Sequence, residues 1–127
     1  VLKPGGALAL WGYGRMVLPA ALDAPFLRFY AETVGPYWPP ERALIDDGYQ
    51  SLAFPFETIA APPFAIRVEW TLPRLIAYLS TWSAVKRYQA GRGDDPLPAL
   101  QEELAPLWGD PERARALDWP LFLRVGR

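Results

Sequence analysis

Residues 2–14 read LKPGGALALWGYG, and the order of residue types in this stretch decides the fold. Leu2, Lys3 and Pro4 have the character of a helix exit, because a cation suits the negative end of a helix and proline stops it. Gly5 and Gly6 then permit the positive φ of a tight turn. Residues 7–13, ALALWGY, follow as a short continuous apolar run. Such a run predicts a strand covered on both faces, as in a parallel sheet flanked by helices. Along it, Leu8 and Leu10 face one side and Ala9, Trp11 and Tyr13 the other. Gly12 and Gly14 allow a sharp turn, or a close approach, at the carboxyl end. A passage of this kind belongs in the middle of a domain.

Further along, a helix is expected from residue 23, with Asp23 as cap and Pro25 in the first turn. Phe26, Phe29, Tyr30, Thr33 and Val34 recur at helical spacing until Gly35-Pro36. Residues 37–49, YWPPERALIDDGY, predict an aromatic pair, a proline-started short helix and a stop at Gly48. Residues 49–63 read as loop, stiffened by FPF and APPF. In 64–71, FAIRVEWT, strict alternation puts Phe64, Ile66, Val68 and Trp70 on one face and Arg67 and Glu69 on the other, a half-exposed strand near a sheet edge. The stripe Leu72, Leu75, Ile76, Leu79, Trp82, Val85 predicts one helix over 72–88, broken by AGRGDDP. A further helix is expected over 97–108, cut short by Pro106, then a turn at Asp110-Pro111 and a last strand over 121–125. Three strands with connections this long are not hairpins; they define an α/β sheet carrying helices.

Composition narrows the chemistry. The 127 residues contain neither Cys nor His, which excludes disulfides, thiolate nucleophiles, imidazole bases and the usual zinc ligands. Thirteen basic and fourteen acidic side chains are scattered along the chain, unlike the clustered cations of a nucleic-acid surface. No apolar stretch approaches the roughly 20 residues that cross a bilayer, and no signal peptide is read, so a cytoplasmic location is expected. The absence of Asn, the single Met and the abundance of Ala, Leu, Pro and Arg fit a thermophile or a GC-rich genome.

LKPGG at 2–6 resembles the entry to the fifth strand of class I S-adenosylmethionine-dependent methyltransferases. YWPPER, DDGYQSLAFPF, LIAYLSTWSAVKRY and WPLFLRVGR are similar to the C-terminal half of the small-molecule branch that includes trans-aconitate methyltransferase-like proteins. The resemblance covers nearly the whole chain. It implies the C-terminal part of a Rossmann-like class I methyltransferase fold: three strands, the last one antiparallel and central, with helical insertions. It also implies that residues 1–127 are the C-terminal portion of a single domain. The chain has no G-x-G-x-x-G, so the cofactor-binding half would lie upstream. The resemblance implies S-adenosylmethionine as the cofactor of the full-length enzyme, not expected to bind this chain alone. No metal is implied.

Within that resemblance, ligands lie outside the carboxyl ends of the strands. Trp11 and Tyr13 reach that end and would wall the methyl-acceptor pocket; the alternative is that Trp11 fills the core. Tyr37 and Trp38 would supply an apolar wall, and Arg42 a fork for an acceptor carboxylate, against a surface pairing with Glu41 or Asp46. Trp82 is a further candidate, on the apolar stripe that also suits core packing; Arg87 lies on the same helix. Glu69, Asp46 and Asp47 read as solvated carboxylates. The reaction implied is in-line methyl transfer to a small molecule, for which a carboxylic acid needs no base. A rival reading is a non-catalytic interaction module, self-associating through the open edge of the first strand or completed by a partner that carries the missing half.

Overall fold

The structure, a computed structural model, describes residues 2–127. In chain order the elements are β1 (Leu8–Tyr13), α1 (Ala20–Arg28), α2 (Arg42–Asp46), β2 (Thr58–Ile59), β3 (Phe64–Trp70), α3 (Leu72–Leu79), α4 (Ser83–Arg92), α5 (Leu97–Trp108) and β4 (Arg115–Gly126). This is the α/β order expected. The sheet runs β1-β4-β2, with β3 also paired to β4. β4 is antiparallel to β1, from Leu8 opposite Gly126 to Tyr13 opposite Leu121, and antiparallel to β2. The last strand is thus central and antiparallel, as predicted, but the strands number four among the described residues. The additional one, β2, is only two residues long and sits inside the stretch read as loop.

The chain divides into two units. The first comprises residues up to Met16, Pro40–Ile66 and Asp118–Arg127; the second comprises Val17–Pro39 and Arg67–Leu117.

The first unit holds β1 and the end of β4 in register. Its close approaches explain two glycines. A Cβ on Gly12 would lie 2.5 Å from the Phe122 ring, and one on Gly126 would lie 2.5 Å from Phe56 Cβ. Bare backbone lets the aromatic rings of this unit lie against the strands. β1 itself is not buried. Its residues alternate between half-buried and exposed, so the expectation of cover on both faces is corrected. The run is apolar throughout, but among the described residues nothing encloses the face bearing Ala9, Trp11 and Tyr13.

The second unit carries the apolar core. Leu22, Phe26, Leu72, Leu75, Leu79, Leu104, Trp108 and Leu117 are at most 2% exposed. α1 and α3 both pack on α5. Several boundaries differ from expectation, each for a local reason. α1 starts at Ala20, because the carbonyl of Pro19 accepts from the N–H groups of Leu22 and Asp23. Asp23 therefore lies inside the first turn, where its Oδ1 accepts from Leu18 N–H at 3.3 Å, and Pro25 falls in the helix interior. After Arg28 the chain widens into a π-helical turn over Phe29–Thr33, closed by Val34 N–H donating to Phe29 O at 3.0 Å.

The single helix expected over 72–88 is two. Ser80 and Thr81 turn their hydroxyls back to donate to the carbonyls of Ala77 and Tyr78, each at 2.7 Å, which closes α3 before Trp82. Pro106 does not end α5. It is exposed, and the turn beyond it is held by the burial of Leu104 and Trp108 and by Trp108 Nε1 donating to Arg113 O at 2.9 Å. β4 begins six residues earlier than expected, at Arg115, and runs through Pro120. That proline is exposed and its carbonyl accepts from Gly14 N–H at 2.9 Å just past the end of β1, so the one reciprocal bond its missing N–H forfeits falls at the end of the β1–β4 pairing.

Candidate functional site

The second unit holds three of the aromatic residues singled out from the sequence, Tyr37, Trp38 and Trp82. The π-helical turn and the short 3-10 turn Gly35–Tyr37 place Tyr30, Tyr37 and Trp38 in succession. The break between α3 and α4 places Trp82 at the start of α4, half-buried. Trp82 is the hub of the cluster. Its ring meets Trp38 at 5.2 Å, Tyr30 at 5.9 Å and both Phe26 and Tyr78 at 6.0 Å. Trp38 in turn lies 5.2 Å from Tyr30, and its Nε1 donates to Tyr30 O at 3.3 Å. Tilted and edge-on pairs at these separations each contribute about 0.5–1.5 kcal/mol beyond burial. Tyr37 belongs to a separate pair, edge-on to Tyr88 at 5.1 Å, with Arg92 over the Tyr88 ring at 5.4 Å.

On the other side of α3 the same aromatic chain continues outward. Tyr78 packs on Trp70 at 5.1 Å, and the guanidinium of Arg74 lies over the Trp70 ring at 5.6 Å. These residues, with Ala77 and Thr81, line a cavity of about 380 Å³. Trp70 was read as part of a strand face; Arg74 was not singled out. An arginine one turn into a helix, four residues after a strand-end tryptophan, is the signal that would have found it.

In the first unit Trp11 is 64% exposed and Tyr13 is 46% exposed. Trp11 therefore does not fill the core of this chain. Arg42 donates from Nε to Asp46 Oδ1 at 3.2 Å along α2, the surface pairing weighed against its role as a substrate fork. Asp47 caps the turn that follows, accepting from the N–H groups of Gln50 and Ser51. The hydrogen bond of the Ser51 side chain, aided by those backbone donors, holds the Asp47 carboxyl below its ordinary value. Glu69 and Arg87 are exposed. Sequence reasoning missed Arg124. Its guanidinium lies 4.5 Å from the Phe54 ring and donates to the carbonyls of Tyr49 and Leu52. The Tyr49 backbone sits at φ 62, a left-handed conformation that a bulky side chain rarely adopts. No composition signal marks it.

The residues that follow β1 and β3, Gly14-Arg15 and Thr71, carry no carboxylate of the kind that accepts from a ribose diol, and Glu69 near the end of β3 is exposed. Among the described residues there is also no group of three or more acidic side chains placed to hold a metal, and no helix long and apolar enough to cross a membrane.

Helices arranged with a sheet whose last strand is central and antiparallel define the class of fold, and this fold is found in a methyltransferase. The chain superposes with a TM-score of 0.92 on a solved protein from Anaeromyxobacter dehalogenans described as a "putative type II methyltransferase", at 38% identity, over 98% of this chain and 53% of that one. It is also 32% identical over 107 residues to a Dictyostelium discoideum protein named a "putative methyltransferase", matching 82% of this chain and 41% of that protein. The chain thus spans about half the length of the solved relative and less than half of the curated one. No protein-family model matches it. The likeness to methyltransferases expected from LKPGG and the later motifs is therefore supported by sequence and by fold.

Proposed function

We propose that this chain is the C-terminal part of an S-adenosylmethionine-dependent methyltransferase of the trans-aconitate methyltransferase-like branch, and that it contributes the acceptor side of the pocket. The observation that carries the reading is the fold likeness, which extends over 98% of the chain at 38% identity. Trp11 and Tyr13 wall the acceptor pocket in this reading, which agrees with their exposure on an otherwise apolar strand. Tyr37, Trp38 and Trp82 are the candidates for further apolar wall, and Arg42 for a cation that can exchange Asp46 for a substrate carboxylate. The acceptor is a small molecule, and a carboxylic acid suits a chain with neither His nor Cys, because its oxygen is already ionised and needs no base. The protein's work is to align this acceptor and exclude water. The adenosyl site belongs to polypeptide matching the part of the relatives' length that this chain does not span, and the same polypeptide covers the open face of β1.

The test uses this chain by itself and the same chain co-expressed with the segment of the Anaeromyxobacter protein that it does not span. Calorimetry should detect S-adenosylmethionine binding only for the pair, and the pair should methylate small carboxylic acids. Saturable micromolar binding by the single chain would overturn the division of labour. Transfer confined to protein or nucleic-acid acceptors would overturn the substrate class. In light scattering the single chain should be monomeric; a stable dimer would move the open edge of β1 to self-association.

A further inference from the structure

The cavity beside α3 has the makings of a ligand site that the methyl-transfer reading does not use. Its lining is one helical face, Arg74, Ala77, Tyr78 and Thr81, set against Trp70 at the end of β3. Its volume, about 380 Å³, lies in the range of small-molecule sites. The wall is aromatic: Trp70 and Tyr78 stand 5.1 Å apart at 57°, and Tyr78 is backed by Trp82. The one charge is Arg74. Arg28, Arg42 and Arg92 all face a carboxylate, Glu103, Asp46 and Asp94 respectively. Arg74 faces none among the described residues; its side chain meets only the Trp70 ring. A guanidinium lying over an aromatic ring keeps its N–H edge available for a bidentate anion. The helix start beneath it is held in place, since Thr71 Oγ1 accepts from Arg74 N–H at 3.4 Å. The Thr81 hydroxyl donates to Tyr78 O at 2.7 Å, which leaves its oxygen free to accept at the rim.

We propose that this groove binds an aromatic carboxylate, with the carboxylate forked on Arg74 and the ring against Trp70 and Tyr78. The site lies within the helical unit, so it stands whether or not the chain takes part in methyl transfer. A neutral aromatic ligand would gain the ring contact alone. A non-aromatic acid would gain the ion pair alone, which is weak at an exposed position.

Benzoate is the probe, with benzamide as its neutral isostere and acetate as the acid without a ring. Binding to the folded chain is followed by calorimetry and by the shift of the Trp70 indole N–H, assigned with Trp70→Phe. Benzoate should saturate, about threefold or more tighter than either control. Arg74→Gln should bring the benzoate-to-benzamide ratio close to one, and Arg74→Lys should leave it intermediate, because the charge is kept and the fork lost. Circular dichroism checks that both variants fold, which is expected for an exposed side chain. Equal binding of benzoate and benzamide to the unaltered chain would overturn the proposal with no variant needed. So would an unchanged ratio in Arg74→Gln, or saturation that leaves the Trp70 signal unmoved.

Discussion

The two units of this chain are similarly rich in apolar residues and bury them very differently. Among the described residues, the buried hydrophobics lie almost entirely in the helical unit, while the sheet unit contributes only Met16 and Trp119. Most of the exposed large hydrophobics, among them Trp11, Tyr13, Ile59, Phe64 and Ile66, lie in the sheet unit, against Val17, Leu27 and Leu107 in the helical one. Hydrophobicity along the chain therefore does not report burial; the presence of packing partners does. An amphipathic helix finds its partner in another helix of the same unit, as α1 and α3 find α5. A strand apolar on both faces needs a layer on each side, and the described residues do not supply both to β1.

The sharpest break of that comparison pairs two tryptophans. Trp108→Ala empties a fully buried site in α5 and should cost about 3–5 kcal/mol in urea denaturation. Trp11→Ala, at 64% exposure, should stay within about 0.5 kcal/mol. Equal losses would dissolve the contrast between the units.

The sheet unit has its own tight points, and they set the next effect. Gly126→Ala places a Cβ 2.5 Å from Phe56 Cβ and should destabilise by about 1–3 kcal/mol through overpacking. Gly5→Ala meets no neighbour and should lose less, through its positive φ alone. A tolerated Gly126→Ala would mean that the aromatic loop at 54–56 is not seated on β4.

Within the helical unit, Thr71→Ala removes the hydroxyl that caps α3 and should cost about 1 kcal/mol, read as a shift in the denaturation midpoint. The smallest effect concerns acid. The Asp47 carboxyl is held below its ordinary value of 3.8, so its contribution is present above that value and is lost as pH falls through the lower folded one. Asp47→Asn should flatten only this acid limb of a stability-against-pH curve and leave neutral pH nearly unchanged, apart from the altered turn bonds. A change confined to the alkaline side would contradict the assignment.

Much of the fold was legible along the chain. β1 and β3 lie where alternation and apolar runs put them, and Gly48 and Gly93 stop their helices with positive φ. The misses were caused by competitors that periodicity does not see. Ser80 and Thr81 sit on the polar side of a good helical stripe, and only their hydroxyls show that the backbone stops there. Pro106 should end a helix by local rules, but the burial of Leu104 and Trp108 outweighs one missing donor. Trp38 and Trp82 were singled out from sequence, and their meeting at 5.2 Å depended on that unforeseen break. Arg42 and Arg74 are chemically identical in sequence; one faces Asp46 and the other an open aromatic wall.

By itself, then, the amino-acid order determined the main strands and helical stretches, the lack of thiol and imidazole chemistry in this chain's own residues and the likeness to methyltransferases. These follow from side-chain periodicity, backbone preferences and residue inventory, which are local. Which apolar face is covered, how the last turn of α5 persists past Pro106 and which rings meet around Trp82 were decided only by tertiary structure. Each of those depends on atoms that are distant in sequence and meet only after the chain has packed.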